Sequence, residues 1–428
     1  MCDPVVDPAG EAAMTNPAGA PTTQAADPRP ERRARWSAAA VAFAFWTTMA
    51  GTTAPTPLYP LYQEAFGLTA FTVTVVFAVY ALGVVAGLLL FGRLSDQVGR
   101  RPVLMGATLV AMAAATVLLL TRNLPVMLVG RVLSGFAAAL ITGAATAALS
   151  EVIPPGGRIR PATAALVANM GGLAGGTLLA GILADLAPAP LRTPWAVLLV
   201  LSAIALAGVA ATRESSAQRP GFALRVQALR IPAGIRPAFL RAAMATGAGF
   251  AVLGVLTAVT GLFLGGELHL HSHSLTGLVV AAAFACTALG QPLGRAIPAG
   301  RALPTACLGL VAGAALIATA MATTALAPLI LGAAVNGLAT GVAMADGLTT
   351  ITTRTAPGER GEAVSTFFAI LYTMLALPAI GVGVLIRATS LRPAGEVFSA
   401  LVAALALAVL LSLTRAGGDH PNQDARAG

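Results

Sequence analysis

Residues 92 to 102 read Gly92-Arg93-Leu94-Ser95-Asp96-Gln97-Val98-Gly99-Arg100-Arg101-Pro102, a short charged segment between two uncharged ones. Uncharged residues run from 65 to 92 before it and from 102 to 121 after it. A helix needs about 20 apolar residues to cross the hydrocarbon core of a bilayer, so each run is long enough for one crossing. The segment therefore predicts a tight turn between two membrane-spanning helices, in which Gly92 and Gly99 allow close approach.

The composition of the whole chain agrees with a membrane location. It is 57% hydrophobic and 10% charged, with a mean hydropathy of +0.82. A soluble globule of this composition would have no polar surface, so we expect an integral membrane protein. The formal net charge of +9 could suggest a nucleic-acid partner. Its arginines lie mainly in short loops on one side of the predicted membrane, so we expect lipid rather than nucleic acid.

Counting uncharged stretches of bilayer length predicts twelve spans. A further span, 123–150, is interrupted only by Arg131, and the stretch 302–345 is long enough to fold back on itself near residues 323–328. The remaining spans are 36–63, 161–184, 193–212, 242–266, 268–294, 363–386 and 397–414. We therefore predict an all-α fold.

The longest polar stretch divides these spans into two sets of six. The predicted parts are a disordered tail (1–35), a first half (36–212), a central loop (213–241), a second half (242–414) and a C-terminal tail (415–428). An offset of 202 residues pairs Gly92 with Gly294 and Pro102 with Pro304, which indicates two parallel copies. Arginines concentrate in the two tails and in the loops that follow the second, fourth, sixth, eighth and tenth spans. Since basic residues favour the cytosolic side, we expect both termini to be cytosolic.

The 92–102 segment resembles the signature loop of the major facilitator superfamily of membrane transporters. That loop has the pattern G-x-L-[SA]-D-x-x-G-R-[RK], and the fixed positions are filled here, among them by Gly92, Asp96, Gly99, Arg100 and Arg101. The resemblance implies two six-helix halves around a central cavity. It also implies that Asp96 docks near residues 361–364 and holds the cytosolic side closed in the outward-facing state. Alternatively, the two arginines only fix the topology.

Two ionisable residues lie inside predicted spans. A charged side chain is unfavourable there, so each is a candidate functional residue. Arg131, with Gly135, resembles a superfamily pattern R-x-x-[QG]-G that is associated with proton or substrate coupling. The alternative is an arginine that extends to the headgroups. Asp346 is a candidate for proton coupling because a carboxyl group in low dielectric is easier to protonate. The alternative is a solvated acid, or one that pairs with Arg354.

The fifth span carries a glycine cluster that resembles the superfamily's antiporter signature, G-P-x-x-G-G, which is associated with export. It could equally be an ordinary small-residue interface between helices. Prolines at positions 55, 57 and 60 predict a break near the outer end of the first span. Candidates to line the central cavity are the polar and aromatic residues Trp46, Tyr80, Asn169, Asn336 and Tyr372, and the glycine cluster is Gly171, Gly172, Gly175 and Gly176.

The sequence offers no pattern for enzymatic catalysis, and we expect no cofactor and no metal site. The histidines at 269, 271 and 273 lie together in a short loop without a second cluster to complete a metal site. The interpretation that fits best is a monomeric secondary transporter of the plasma membrane that exports a small amphipathic or apolar compound in exchange for protons. The alternatives are proton-coupled uptake of a sugar or organic acid, and a membrane sensor that binds a ligand without moving it.

Overall fold

The computed structural model describes residues 28–92, 94–154, 159–214, 229–231, 233–298, 300–356 and 359–418. These residues form helices and connecting turns, with no strand among them. The helices of the first half are α1 (Pro28–Thr53), α2 (Tyr59–Phe66), α3 (Ala70–Phe91), α4 (Leu94–Val98), α5 (Arg100–Leu119), α6 (Leu124–Val152), α7 (Pro161–Leu186) and α8 (Thr193–Ala210). Those of the second half are α9 (Arg236–Gly266), α10 (His273–Ala296), α11 (Ala302–Thr323), α12 (Leu326–Arg354), α13 (Arg360–Ala388) and α14 (Leu391–Gly418).

Eleven of the described helices are long and apolar enough to cross a membrane. The other long helix, α1, is rich in threonine but packs against α6, α7 and α8. Its threonines are accommodated because hydroxyls such as those of Thr47 and Thr52 donate to carbonyls one turn earlier. The all-helical prediction is confirmed. The fold-back within 302–345 is also confirmed, at Thr324, which has a left-handed backbone (φ 46°).

The structure differs from the prediction mainly at helix ends. Residues 28–35, assigned to a disordered tail, are the first turns of α1, and 236–241 of the central loop belong to α9. The helix α14 likewise runs to Gly418, into the predicted C-terminal tail. Charge makes a residue unfit for the bilayer core but not for a helix, and arginine, glutamate and alanine are good helix formers. The rest of both tails, and residues 215–228, lie outside the described residues.

The predicted break in the first span is confirmed. The helix α1 ends at Thr53, a 3₁₀ turn covers Thr56–Leu58, and α2 follows. Proline cannot donate the backbone hydrogen bond that a continuing helix needs, so the chain changes direction here. The single predicted span 36–63 is therefore one long helix followed by a short one.

Two helix pairs make most of the contacts between the halves, α7 with α10 and α3 with α13. Within each half, a glycine allows a comparable close contact. A Cβ atom on Gly135 of α6 would lie 2.3 Å from the Tyr80 carbonyl oxygen of α3. A Cβ atom on Gly337 of α12 would lie 2.3 Å from the Ala283 carbonyl oxygen of α10. Gly135 and Gly337 are separated by the predicted 202 residues, so the same packing recurs in both halves.

Candidate functional site: a cavity between the two halves

A cleft lies between the halves. It is lined from the first half by residues of α1, α3, α6 and α7 and from the second by residues of α9, α10, α12 and α13. Its walls are mostly apolar, with a few threonines and one amide, that of Asn169. Aromatic rings come from both halves: Phe77, Tyr80, Phe250, Phe284, Phe368 and Tyr372. Such a surface suits a ligand with apolar or aromatic area and few polar groups.

Three of the five predicted lining residues, Tyr80, Asn169 and Tyr372, are in this cavity. The phenol groups of Tyr80 and Tyr372 also interact with each other across the interface. The prediction is wrong for Asn336, which is fully buried inside the second half, where its amide nitrogen donates to the Gly249 carbonyl at 3.3 Å. It is also wrong for Trp46, which does not line the cavity.

Trp46 and the glycine cluster instead form one seam between α1 and α7. A Cβ atom on Gly175 would lie 2.5 Å from the Trp46 ring, and one on Gly172 would lie 2.6 Å from the Trp46 carbonyl oxygen. A Cβ atom on Gly176 would lie 2.1 Å from the Ala50 carbonyl oxygen, whereas one on Gly171 would make only ordinary contact. The helix α7 is continuous through the cluster. The geometry is that of a close small-residue helix contact.

Arg131 lies directly behind the cavity wall. Its side chain is only 1% exposed, which rules out an arginine that extends to the headgroups. One guanidinium nitrogen donates to the Thr52 carbonyl at 2.8 Å, and Nε donates to the Val76 carbonyl at 3.4 Å. The guanidinium carbon lies 4.6 Å from the centre of the Tyr80 ring. These contacts join α6 to α1 and α3, so the cation links three helices of the first half.

No described carboxylate pairs with Arg131, so its charge is balanced only by carbonyl dipoles and the face of an aromatic ring. A guanidinium stays charged in proteins, and burying an unpaired charge costs several kcal/mol. Gly135 favours the arrangement because it brings α6 close to α3. The two carbonyls that bind Arg131 could not be found from the sequence, since every residue has one.

Asp346 is half-buried and does not line the cavity. Met344, two residues earlier, is a lining residue, and two residues turn a helix by about 200°, so Asp346 faces the other way. It lies about two turns from the end of α12 and interacts electrostatically with Arg354. Any part it plays in proton movement is therefore not by direct contact with a ligand in the cleft.

The signature loop forms a network of charges inside the first half. Arg100 donates to Asp96 at 2.5 Å, to Ser95 at 2.8 Å and to Glu151 of α6 at 3.0 Å. Glu214, just after α8, accepts from the backbone nitrogens of Arg100 at 2.8 Å and Arg101 at 3.0 Å. A carboxylate in this position satisfies free N–H groups at the start of α5 and complements the helix dipole.

Gly99 fits this network in two ways. Its φ angle of 105° is one that residues with a side chain rarely adopt. A Cβ atom there would also lie 2.8 Å from a Glu214 carboxylate oxygen. Arg101 donates to the Ala210 carbonyl, so it is held in place rather than left as a free topological charge. Glu151 and Glu214 were not among the predicted site residues. The available signal was their position, near the end of α6 and just after α8.

Asp96 is not docked on α13 in this structure. Its side chain is 59% exposed, and space around Gly361, at the start of α13, is open. The contact with residues 361–364 that the resemblance implied is thus absent between these described groups. The reason is that the halves meet at the opposite end of the bundle. We call the two ends of the bundle the signature-loop end, where Asp96 lies, and the Asp185 end.

At the Asp185 end, a residue of one half caps a helix of the other. Asp185 of α7 accepts from the backbone nitrogens of His273 at 2.9 Å and Ser274 at 2.8 Å, where α10 begins. It also contacts the imidazole of His273 at 2.8 Å. Nearby, Thr177 donates to the Gly277 carbonyl at 3.1 Å, again from α7 to α10. This end of the cleft is closed by hydrogen bonds between the halves.

His273 is thus the first residue of α10 and not part of a loop with the other two histidines. Among the described residues, no group of three or more His, Cys, Asp or Glu side chains could hold a metal ion.

Two helical halves that enclose a lined cavity, closed at one end and carrying a buried cation in the wall, define a membrane transport protein. The sequence profile of the Major Facilitator Superfamily matches residues 41–372. The chain belongs to this family, and it is an integral membrane transporter rather than an enzyme.

Solved structures of several transporters share the fold. A bacterial homologue of the human lysosomal transporter Spinster, inward-facing and unoccupied, superposes with a TM-score of 0.66 at 16% identity, covering 90% of this chain and 98% of its own. The nucleoside transporter NupG superposes with a TM-score of 0.67 at 13% identity, covering 88% of this chain and 99% of its own. The human organic anion transporter TETRAN superposes with a TM-score of 0.63 at 17% identity, covering 89% of this chain and 99% of its own.

One curated relative is similar over a shorter stretch. A chloramphenicol resistance protein of Pseudomonas aeruginosa is 41% identical over 92 residues. This stretch is 21% of the chain and 22% of that relative, so the match spans about a fifth of the relative's length.

Proposed function

We propose that this transporter works by alternating access and exports a small amphipathic or apolar compound in exchange for protons. The observation that carries the proposal is the aromatic cleft between the halves, closed at the Asp185 end by contacts that a rocking motion could break. In transporters with repeated halves, such motion exposes a fixed central site to each side in turn. The similarity to a resistance protein supports the export direction.

The proposed orientation places both termini, and the signature-loop end, in the cytosol. It rests on the arginine distribution, since arginines lie mainly at this end of the helices. A cleft closed at the Asp185 end would then face the cytosol, which is the state in which an exporter accepts its substrate.

Two residues are proposed to serve coupling. Arg131 holds α1, α3 and α6 together beside the cleft. A change in its contacts would therefore alter the position of Tyr80 in the cleft wall. Asp346 is the proposed proton carrier, in the second half and away from the lining. Under this proposal the proton and the substrate occupy different places and are coupled through the movement of the halves.

The test is proton movement in energised inverted membrane vesicles that contain the transporter. A pH-sensitive dye is followed while amphipathic compounds, sugars and organic acids are added one at a time. We expect an amphipathic compound to release protons with the wild type. We expect loss of that release with Arg131→Met and with Asp346→Asn, while Arg354→Gln, which only removes the neighbour of Asp346, retains most of it.

Substrate exchange in the absence of a proton gradient separates the two roles. Asp346→Asn should still exchange substrate across the membrane, whereas Arg131→Met should not. Proton release by sugars or organic acids alone would contradict the proposed substrate class. No release by any compound would contradict the exchange itself, because a proton symporter moves its substrate and the proton in the same direction and would favour uptake.

A further inference from the structure

The cleft combines three features that together restrict what it can bind: an unpaired acceptor, a positive charge behind one wall, and a lining without any acid. We propose that its ligand is an uncharged aromatic compound with a hydroxyl or N–H group, which donates to the side-chain oxygen of Asn169. We further infer that Arg131 excludes cations from the same cleft. This inference rests on the proposed function and specifies its substrate class.

The first feature is the amide of Asn169 on α7. Its side-chain oxygen is buried and has no hydrogen-bond partner among the described atoms. Buried polar atoms in proteins are nearly always paired, and one left unpaired carries a desolvation penalty. Asn169 lines the cleft, so a turn of its side chain would bring this oxygen to a donor on the ligand. The hydrogen bond would be formed among mostly apolar side chains, where it discriminates between ligands with and without a donor.

The second feature is the position of Arg131. Its guanidinium stacks on Tyr80, a ring that forms part of the cleft wall, whereas Arg131 itself does not line the cleft. A ligand cation across that ring would lie on the order of 10 Å from the guanidinium. At the effective dielectric of a protein interior, this repulsion weakens binding by roughly tenfold or more.

The third feature is the lining itself. The described lining residues include threonines, one asparagine and six aromatic rings, but no aspartate, glutamate or histidine. Aromatic rings alone can attract a cation, but here the nearest ring, that of Tyr80, already faces Arg131. No described lining carboxylate therefore offsets the repulsion, and the rings can stack on an aromatic ligand.

The test uses three fluorescent naphthyl probes that share one aromatic group. They are 3-(2-naphthyloxy)propane-1,2-diol, its dimethyl ether, and the 3-(2-naphthyloxy)propyl trimethylammonium ion. Binding to the purified transporter in lipid nanodiscs is measured by fluorescence anisotropy. We expect the wild type to bind the diol about tenfold more tightly than the ether, and to bind the cation at least about tenfold more weakly than the diol.

The variants test whether the preference for the diol comes from Asn169. Asn169→Leu keeps the size of the side chain but removes the acceptor, so diol and ether should bind equally. Asn169→Asp places a negative charge in the cleft and should strengthen cation binding by about tenfold or more. Asn336→Leu is the matched control, because it removes a buried amide outside the cleft and should leave the ratios unchanged. Ratios between probes do not depend on how much protein is folded.

The inference is overturned if the wild type binds the cation as well as the diol, if Asn169→Leu keeps the preference for the diol, or if no probe binds. The vesicle assay for proton release distinguishes this failure from that of the proposed function. A transporter that moves protons but shows no preference among the probes would contradict the inference alone. One that does neither would contradict both.

Discussion

The two ends of the interface are held together in different ways. At the Asp185 end the halves bond to each other, since Asp185 of α7 caps α10 and Thr177 donates to Gly277. At the signature-loop end, Arg100 bonds to Asp96, Ser95 and Glu151, which all belong to the first half. The Asp185 end must therefore lose hydrogen bonds between the halves in order to open. At the signature-loop end the halves can lie apart while the network within the first half stays intact.

We propose that this difference gives the signature loop a specific role in closing its end of the interface. Its arginine already has partners in the first half, and Asp96 remains 59% exposed at the edge of the network. Asp96 is thus available for a contact with the second half when the halves close at its end. The loop acts in this account as a rigid element prepared for one transient contact, and the Asp185 end supplies the contact that is lost in exchange.

The largest effect should follow from Asp96→Asn. We expect transport to fall by about tenfold or more, because the charge needed for the transient contact is lost. The amount of protein in the membrane should stay the same, because Arg100 keeps its hydrogen bonds to Ser95 and Glu151. The ion pair that is lost is exposed, and such a pair contributes little to stability. Transport in vesicles, normalised to protein by immunoblot, measures this. Normal turnover in the variant would contradict the gating role of Asp96.

An intermediate effect is expected from Asp185→Ala. Loss of a helix cap costs about 0.5–2 kcal/mol, which would shift the balance between closed and open states at this end by about twofold to thirtyfold. Spin labels at Ala189→Cys and His271→Cys, measured by pulsed electron paramagnetic resonance, report the open fraction. The control is Glu267→Ala, which breaks an ion pair with Arg392 within the second half at the same end. An equal change in both variants would rule out a specific role for Asp185.

The smallest effect concerns stability alone. Glu214→Ala removes the carboxylate that accepts from the first N–H groups of α5, and we expect the free energy of unfolding to fall by about 1 kcal/mol. Thermal unfolding of the purified protein measures it. Glu359→Ala is the matched control, because Glu359 precedes α13 without a side-chain cap. If both substitutions cost the same, the Glu214 contacts do not stabilise α5.

Much of the fold could be predicted from the sequence because a bilayer imposes one dominant constraint. The runs of uncharged residues gave the helices, and the position of Arg131 within one of them indicated a buried cation. The helix ends were less accurate, since the bilayer limits charge and not helix formation. Arg236 to Arg241 shows this, being both charged and helical.

The site was only partly predictable because the direction of a side chain depends on helix rotation. Asn169 and Asn336 are both amides in apolar helices, yet one faces the cleft and the other is buried inside its half. Asp346 likewise points away from the lining. Contacts between distant segments, such as Asp185 with His273, depend on the packing of the halves and leave no local pattern.

The most direct test of alternating access is to measure both ends of the interface in one protein. Cys2, Cys286 and Cys307 are replaced by alanine, and label pairs are placed at Ala189 and His271 for the Asp185 end and at Ser150 and Thr352 for the signature-loop end. Distances are recorded in acidic and alkaline buffer, with and without a compound that releases protons in the vesicle assay. The account predicts that one distance lengthens as the other shortens. Distances that change together, or not at all, would contradict it.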